Sequence, residues 1–370
     1  MRSLYISGFF AYAAVSTVFP VISPYASLLG ASEFQSAIIA GAYAIVTAIA
    51  MMPFGHLSDK YGRAKFMILG LVLYISSPLL YIFVKDITSL LLARILHGFG
   101  MALYVPALNA LVADKSPENR RGEAMGWISA AFMFGFVLGP VTGGLLAEKF
   151  GVISTFLSSS AFSVLSFLSI CPYLNLKKTE FKKMKEEDKL VASKNILAAS
   201  LATFFTTFGS AAVVIFALPF YSNELNITSA LVGTLTSSLF FVSALARIPA
   251  GKLSDKIGRS PVIVLGLLVE GIGIYFMVFR EPLQLLFATW LCGIGMGFTN
   301  TASYALASDV RRRGMAIGAV NSSLNAGIFV GPATAGLFAE YFGFEAIFTF
   351  SAVFVLASSV VVTVLLKNSD

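Results

Sequence analysis

Three titratable side chains lie inside long apolar runs of the sequence, where a charge is costly. Arg94 and His97 are three residues apart and would share one face of a helix, whereas Glu270 stands alone in another run. A charge at the centre of a bilayer costs roughly 2.5–3.5 kcal/mol on insertion scales, which makes such groups functional candidates. Arg94 could bind an anion or influence a neighbouring proton site, and His97 and Glu270 could each carry a proton. Snorkelling of Arg94, a packing role for His97 and a neutral structural role for Glu270 remain open alternatives.

The runs that contain these residues have the length of membrane-spanning helices. The chain has 370 residues, of which 57% are hydrophobic and 12% are charged, whereas soluble domains carry about 25% charged residues. A spanning helix needs about 20 mostly apolar residues. The sequence therefore predicts an all-α integral membrane protein with twelve spanning helices, at residues 4–29, 36–55, 66–84, 87–112, 124–147, 152–174, 195–221, 229–250, 261–279, 283–307, 315–338 and 343–366.

The basic residues predict how these helices are oriented. Of the 26 Lys and Arg residues, 21 lie at the termini or in alternate connections, and the other connections hold only Lys85, Lys149 and Arg280. Cytoplasmic loops are enriched in Lys and Arg. We therefore expect both termini to be cytoplasmic in a multi-pass protein of the plasma membrane. Arg247, close to a cytoplasmic loop, is expected to snorkel towards it.

The second half of the chain repeats the first. GHLSDKYGR at 55–63 matches GKLSDKIGR at 251–259, and NRRGEAMG at 119–126 matches RRRGMAIG at 311–318. A third pair, at 134–151 and 326–343, keeps the same order. Parallel repeats of this kind occur in transporters, with the substrate near the midplane between the repeats. We expect a six-helix bundle at 1–176, a cytoplasmic linker at 177–194 and a second six-helix bundle at 195–370.

With these motifs the chain resembles the major facilitator superfamily over nearly its whole length. The resemblance implies two pseudo-symmetric bundles and cytoplasmic loops that latch the halves together. Asp59 would face the start of the eleventh helix, near Gly314 and Met315, because a helix N-terminus attracts an anion, and Arg63 would pair with Asp114. The repeat predicts a mirrored set in the second half. The gating latch would comprise Gly55, Asp59, Gly62, Arg63, Lys65, Asp114, Gly251, Asp255, Gly258, Arg259 and Asp309.

A glycine-proline motif in the fifth helix is similar to that of the drug/proton antiporter branch and suggests export. Its glycines recur every four residues and would lie on one helix face, where small side chains allow close packing. Proline can bend the helix there. The predicted helix-packing motif comprises Gly135, Gly139, Pro140, Gly143 and Gly144, with Gly331 and Pro332 in the eleventh helix.

The family resemblance further implies that the first, fourth, seventh and tenth helices line a central cavity. Unlike many drug/proton antiporters, the chain has no acidic residue within 4–29. The aromatic and amide character of the remaining positions suits a lipophilic or neutral solute. The expected cavity residues are Tyr12, Ser16, Arg94, His97, Met101, Tyr104, Phe208, Asn300 and Tyr304, with Asn321 and Asn325 from the eleventh helix. We expect Thr203, Thr206 and Ser210 of the seventh helix to face the same cavity.

We expect a proton-coupled exporter of lipophilic or drug-like small molecules that works by alternating access. An uptake permease or uniporter for a small metabolite is the main alternative, and a membrane sensor is a third. The sequence shows no phosphate-binding loop after a strand and no His/Cys cluster. We therefore expect no enzyme activity, no metal and no cofactor beyond the proton. The expected partners are a small-molecule substrate and the lipid bilayer, without nucleic acid, for a chain that acts as a monomer.

Overall fold

Twelve long helices, expected from the sequence, are confirmed in the computed structural model. The structure describes residues 1–117, 120–173, 194–222, 224, 226–279, 281–308 and 313–367, and no strand occurs among them. The helices are α1 Arg2–Leu28, α2 Glu33–Tyr61, α3 Arg63–Phe83, α4 Ile87–Lys115, α5 Arg121–Phe150, α6 Val152–Ile170, α7 Lys194–Phe220, α8 Ser229–Ile257, α9 Arg259–Phe276, α10 Pro282–Ser308, α11 Arg313–Phe342 and α12 Glu345–Lys367.

Eleven of these helices are long and apolar enough to cross a bilayer. The other one, α11, is 30 residues long but contains Asn321 and Asn325, whose amides lower its apolar character. Consecutive helices run in opposite directions. The end of the molecule that holds Arg2, Arg63 and Arg259 is called the basic end here, and the other is the opposite end.

Proline explains an irregular turn in α7 that joins the two halves. The helix widens into a π turn at Ala212–Ala217, just before Pro219. Proline has no N–H to donate to the carbonyl four residues earlier, which leaves the Ile215 oxygen free. The Ser23 hydroxyl of α1 donates to that oxygen at 3.1 Å. The carbonyl that Pro219 leaves without a partner in α7 therefore accepts a hydrogen bond from the other half.

Within the first half, the glycine face of α5 packs directly on the backbone of α1. A Cβ built at Gly135 would lie 2.5 Å from the Phe9 carbonyl oxygen, and one at Gly143 would overlap the carbonyl of Thr17. Glycine is required at these positions because any side chain would force the helices apart.

The second half repeats this packing between α11 and α7. A Cβ at Gly327 would lie 2.6 Å from the Phe204 carbonyl oxygen, and one at Gly331 would overlap that of Phe208. Four glycines of the predicted helix-packing motif therefore join helices of the same half: Gly135, Gly139, Gly143 and Gly331.

The halves meet along two equivalent seams, α5 with α8 and α2 with α11. In the first seam, a Cβ at Gly144 would overlap the Ser229 carbonyl, and the Val141 N–H donates to Ser237 Oγ at 2.9 Å. In the second seam, a Cβ at Gly336 would lie 2.8 Å from the Glu33 carbonyl oxygen. Gly144 and its counterpart in the repeat, Gly336, therefore join the two halves.

Each seam ends in a carboxylate bound to a helix N-terminus of the other half. Glu148, near the end of α5, accepts the Ala230 N–H of α8 at 3.0 Å. Glu340, near the end of α11, accepts the Ser32 hydroxyl at 3.2 Å and the Phe34 N–H at 3.4 Å, both at the start of α2. Free N–H groups and the helix dipole make a helix start attractive to an anion. These two contacts are called the outer clasps below.

All hydrogen bonds between the halves among the described residues lie in the part of the molecule nearer the opposite end. Towards the basic end the halves separate. A Cβ added at Gly126 of α5 or Gly318 of α11 would meet no atom within 4 Å. The space between the halves is therefore closed at the opposite end and open at the basic end.

We predict that removing both outer clasps loosens the closed end. Glu148→Gln with Glu340→Gln keeps the shape of both side chains but removes the charge that favours the helix starts. Spin labels at Lys85→Cys and Leu283→Cys, with Cys171→Ser and Cys292→Ala, report the separation of the halves by electron-electron resonance. We expect the population with the longer distance to rise severalfold.

Glu281→Gln is the matched control for this experiment. Glu281 is an exposed acid at the same end, and its side chain makes no hydrogen bond across the seams within the described ranges. An unchanged distance distribution in the double variant, or an equal change in the control, would contradict a clasp role.

Candidate functional site

Glu270 lies in the interior of the second half and not in the space between the halves. Its side chain is fully buried. The Thr206 hydroxyl donates to one carboxyl oxygen, and the Ser210 hydroxyl donates to the other at 2.5 Å. No ion pair of the described residues includes it. This arrangement holds a carboxyl group with neutral donors from α7, and it corrects the expected placement of Thr206 and Ser210 in the cavity.

Arg94 is also fully buried, between α2 and α4, which corrects its expected cavity position. Its guanidinium donates to the Ile39 carbonyl at 3.0 Å and to the Ala40 carbonyl, and it lies 4.6 Å from the centre of the Tyr43 ring. Carbonyl oxygens and an aromatic face are good neighbours for a buried cation. Arg94 therefore ties two helices together.

His97 does not reach the cavity either. It is fully buried, and Nδ1 forms a 2.8 Å hydrogen bond with the Tyr81 hydroxyl of α3. The Tyr74 ring meets its imidazole edge to face, with 5.0 Å between centres. This environment matches the packing alternative for His97.

Tyr104, another expected cavity residue, is bonded within the first half. Its hydroxyl lies 2.5 Å from that of Ser7 in α1, and Ser7 in turn lies 2.9 Å from the Ser166 hydroxyl in α6. Ser16 likewise donates to backbone carbonyls of Tyr12 and Gly135. Met101 and Phe208 are also buried.

Tyr12, Tyr304, Asn321 and Asn325 form the polar lining between the halves. The Tyr304 hydroxyl donates to Asn321 Oδ1 at 2.6 Å, and the Asn325 amide donates to the Asn321 carbonyl at 3.0 Å. Asn300 lies one turn before Tyr304, buried, with no hydrogen-bond partner for its Oδ1.

Aromatic rings cover the closed side of this space, and three of them, Phe132, Phe136 and Phe240, were not among the expected cavity residues. Phe136 of α5 and Phe240 of α8 stack across the seam with 4.9 Å between centres. Tyr12 meets Phe136 edge to face at 5.0 Å and stacks on Phe132 at 4.1 Å. The space between the halves is therefore an aromatic chamber with a patch of hydroxyl and amide groups.

The loops at the basic end contain the predicted charge pairs, while their gating role stays a prediction. Arg63 lies 2.5 Å from both Asp59 and Asp114. Arg259 lies 2.5 Å from Asp255, and Asp309 is outside the described residues. The expected partners of Asp59 and Asp255 at the starts of α11 and α5 have side chains outside those that the structure describes, so these contacts stay predictions.

Two of the four glycines in these loops are required by the backbone conformation, and the other two are not. Gly62 and Gly258 have φ angles of 105° and 95°, which favour glycine, and they end α2 and α8. A Cβ at Gly55 or Gly251 would make only ordinary contacts, so neither is needed for close packing in this conformation. Lys65 is exposed.

We predict that Arg94 serves stability more than binding. Arg94→Leu removes the donors to two α2 carbonyls, so the melting temperature of the purified protein should fall by at least about 5 °C. Arg94→Lys keeps a cation above Tyr43 and should recover part of the loss. A Leu variant that melts like the wild type but loses ligand binding would contradict the structural role.

The chain is similar in sequence to a known family and to several transporters. The family model described as Major Facilitator Superfamily matches residues 4–201 and again 199–370. An uncharacterized MFS-type transporter of Methanocaldococcus jannaschii is 28% identical, with 97% of this chain and 96% of that protein covered. The multi-drug resistance efflux pump PmrA of Streptococcus pneumoniae is 32% identical, with 94% and 91% covered. The multidrug resistance protein MdtG of Salmonella arizonae is 29% identical, with 94% and 90% covered.

Solved structures support the same fold. A POT family transporter in complex with a thioalcohol-conjugated peptide superposes with a TM-score of 0.83 at 11% identity, covering 100% of this chain and 96% of that one. A bacterial homolog of the human lysosomal transporter Spinster, inward-facing and unoccupied, gives 0.72 at 16% identity, with 100% and 94% covered. With two family matches that span both bundles, the chain belongs to the Major Facilitator Superfamily and is a multi-pass membrane transporter of small molecules.

Proposed function

We propose that this transporter exports lipophilic, drug-like compounds in exchange for protons by alternating access. The single observation that carries the coupling is Glu270, a fully buried acid held by two hydroxyl groups of α7. A carboxyl without a cation nearby exchanges its proton at a large electrostatic cost, so its charge state is coupled to the structure around it. The export direction is supported by the relatives named for multidrug efflux, which do not favour the uptake alternative.

In this proposal the basic end faces the cytoplasm, as the positive-inside rule expects. The chamber is then open to the cytoplasm and closed to the outside, the conformation that would receive a compound for export. The outer clasps would part, and the loops with Asp59 and Asp255 would close, when the chamber opens outward. The transporter would act as a monomer, without enzyme activity, cofactor or nucleic acid.

Helix α7 offers a physical connection between the proton site and the closed end. Thr206 and Ser210 bind Glu270, and the π turn at Ala212–Ala217 begins one residue after Ala211 ends the regular helix. The Ile215 carbonyl in that turn accepts Ser23 from the other half. Loss or gain of the Glu270 proton changes how strongly two hydroxyls are held, and the next turns of α7 carry that change to the seam.

The orientation predicts which side of the membrane exposes Cys171. This thiol is exposed just beyond α6 at the basic end, whereas Cys292 is buried. A membrane-impermeant maleimide should label inside-out vesicles and spare right-side-out cells. Lys149→Cys at the opposite end, in a Cys171→Ser background, should show the reverse pattern. Labelling of Cys171 in intact cells would contradict the orientation.

Proton coupling through Glu270 predicts that Glu270→Gln impairs transport driven by a pH gradient but not substrate exchange. In proteoliposomes, uptake of a fluorescent aryl dye driven by an imposed pH gradient should fall at least about tenfold, because the amide cannot carry the proton. Dye exchange without a gradient needs no proton and should stay within about threefold of the wild type.

Tyr74→Phe is the matched control, since Tyr74 is equivalent to Glu270 in the repeat and its buried hydroxyl has no hydrogen-bond partner. It should retain both activities. If Glu270→Gln keeps gradient-driven transport, Glu270 is not the coupling site.

A further inference from the structure

Arg247 is a cation inside the membrane-spanning part of α8 whose role the fold does not explain. It lies two helical turns beyond Phe240 towards the basic end, and therefore on the same face. That face meets the first half at Ser237 and Phe240. At the level of Arg247 the halves have separated, so its side chain borders the open chamber.

Arg247 lies one helical turn inside the apolar run predicted at 229–250, close enough to the basic end for an arginine side chain to snorkel. Snorkelling alone would leave the whole guanidinium in water, and it does not account for the burial of part of this group. The side chain is half-buried, and its Nε is buried with no hydrogen-bond partner among the described residues.

The groups around Arg247 are polar but neutral. The Tyr304 hydroxyl is near enough to interact with the guanidinium electrostatically, and Tyr304 donates to Asn321. None of the four ion pairs formed by the described residues includes Arg247. Arg94, by contrast, has carbonyl acceptors from α2. A cation held beside a low-dielectric chamber without an anion is unfavourable unless a ligand supplies the charge.

The repeat shows that the scaffold does not need a cation here. Met51 occupies the equivalent position in α2 of the first half. Arginine presents a planar fork of donors that suits carboxylate, sulfonate or phosphonate groups. The rings of Tyr12, Phe136 and Phe240 lie further into the same chamber.

We propose that Arg247 binds the anionic group of an aromatic, amphiphilic substrate whose apolar part enters the ring-lined side of the chamber. The proposal rests on the proposed export function for its transport consequence, and it narrows the substrate class to lipophilic anions.

Three probes of equal shape separate charge recognition from apolar binding. The purified full chain is titrated by calorimetry with 2-naphthoate, 2-naphthamide and 2-naphthylmethylammonium. We expect the wild type to bind naphthoate at least about tenfold more tightly than the amide, and the ammonium most weakly. Arg247→Gln should abolish this preference and leave amide binding unchanged, while Arg247→Lys should retain part of it.

Met51→Gln is the matched control and should bind all three probes as the wild type does. The proposal is overturned if naphthoate fails to bind or binds no better than the amide, or if Arg247→Gln weakens all three probes equally. Proteoliposome flux of naphthoate then tests the proposed function separately. If naphthoate binds through Arg247 but shows no gradient-driven flux, the proposed export function is wrong and the proposed binding site stands.

Discussion

Direct backbone contact at glycine, made in the same way in both halves, is the constraint on which this transporter's architecture depends. Three helix turns of α5 rest on α1 through Gly135, Gly139 and Gly143, and the next glycine, Gly144, transfers the contact to α8 of the other half. Helix α5 therefore packs both on α1 of its own half and on α8 of the other half. Since α11 repeats this arrangement, the bundles can rock only by sliding or parting along two equivalent lines. The outer clasps act at the ends of those lines, where a small separation breaks them.

The buried polar groups of the two bundles differ in their hydrogen-bond partners. In the first half, Arg94, His97 and Tyr104 each bind a neighbouring helix, so they fix α4 against α2, α3 and α1. In the second half, Glu270 has only hydroxyl donors and Arg247 has no charged partner within the described chain. Arg94 has no ion pair among the described residues either, so the bundles differ in how such groups are held. Backbone carbonyls hold Arg94, hydroxyls hold Glu270, and the Nε of Arg247 has no acceptor within the described chain.

Sequence patterns predicted the fold well because each follows directly from the architecture. Apolar runs mark the spans, basic loops mark one side of the membrane, and the repeats mark the two bundles. They predicted less about the site. The spacing of Arg94 and His97 shows that they share a helix face, but it cannot show that this face meets α2 and α3, because neighbours depend on helix rotation. The partners of Glu270 were visible as hydroxyl residues and were assigned to the wrong side of α7 for the same reason. Glu148 and Glu340 did carry a signal, since both stand in the third repeated block, and a charge kept at the end of an apolar helix in both halves has a shared structural use.

Charge balance joins the two unusual groups of the second half. A substrate anion that leaves the cell while a proton enters moves two elementary charges across the membrane in the same electrical sense. An inside-negative potential therefore favours the cycle by about 4.6 kcal/mol per 100 mV, twice the value for one charge. A neutral substrate would gain only half of that. In the proposed cycle, a cation in the chamber and an acid behind α7 are therefore energetically consistent. The cation would select a solute that the potential expels, and the acid would admit the ion that the potential draws in.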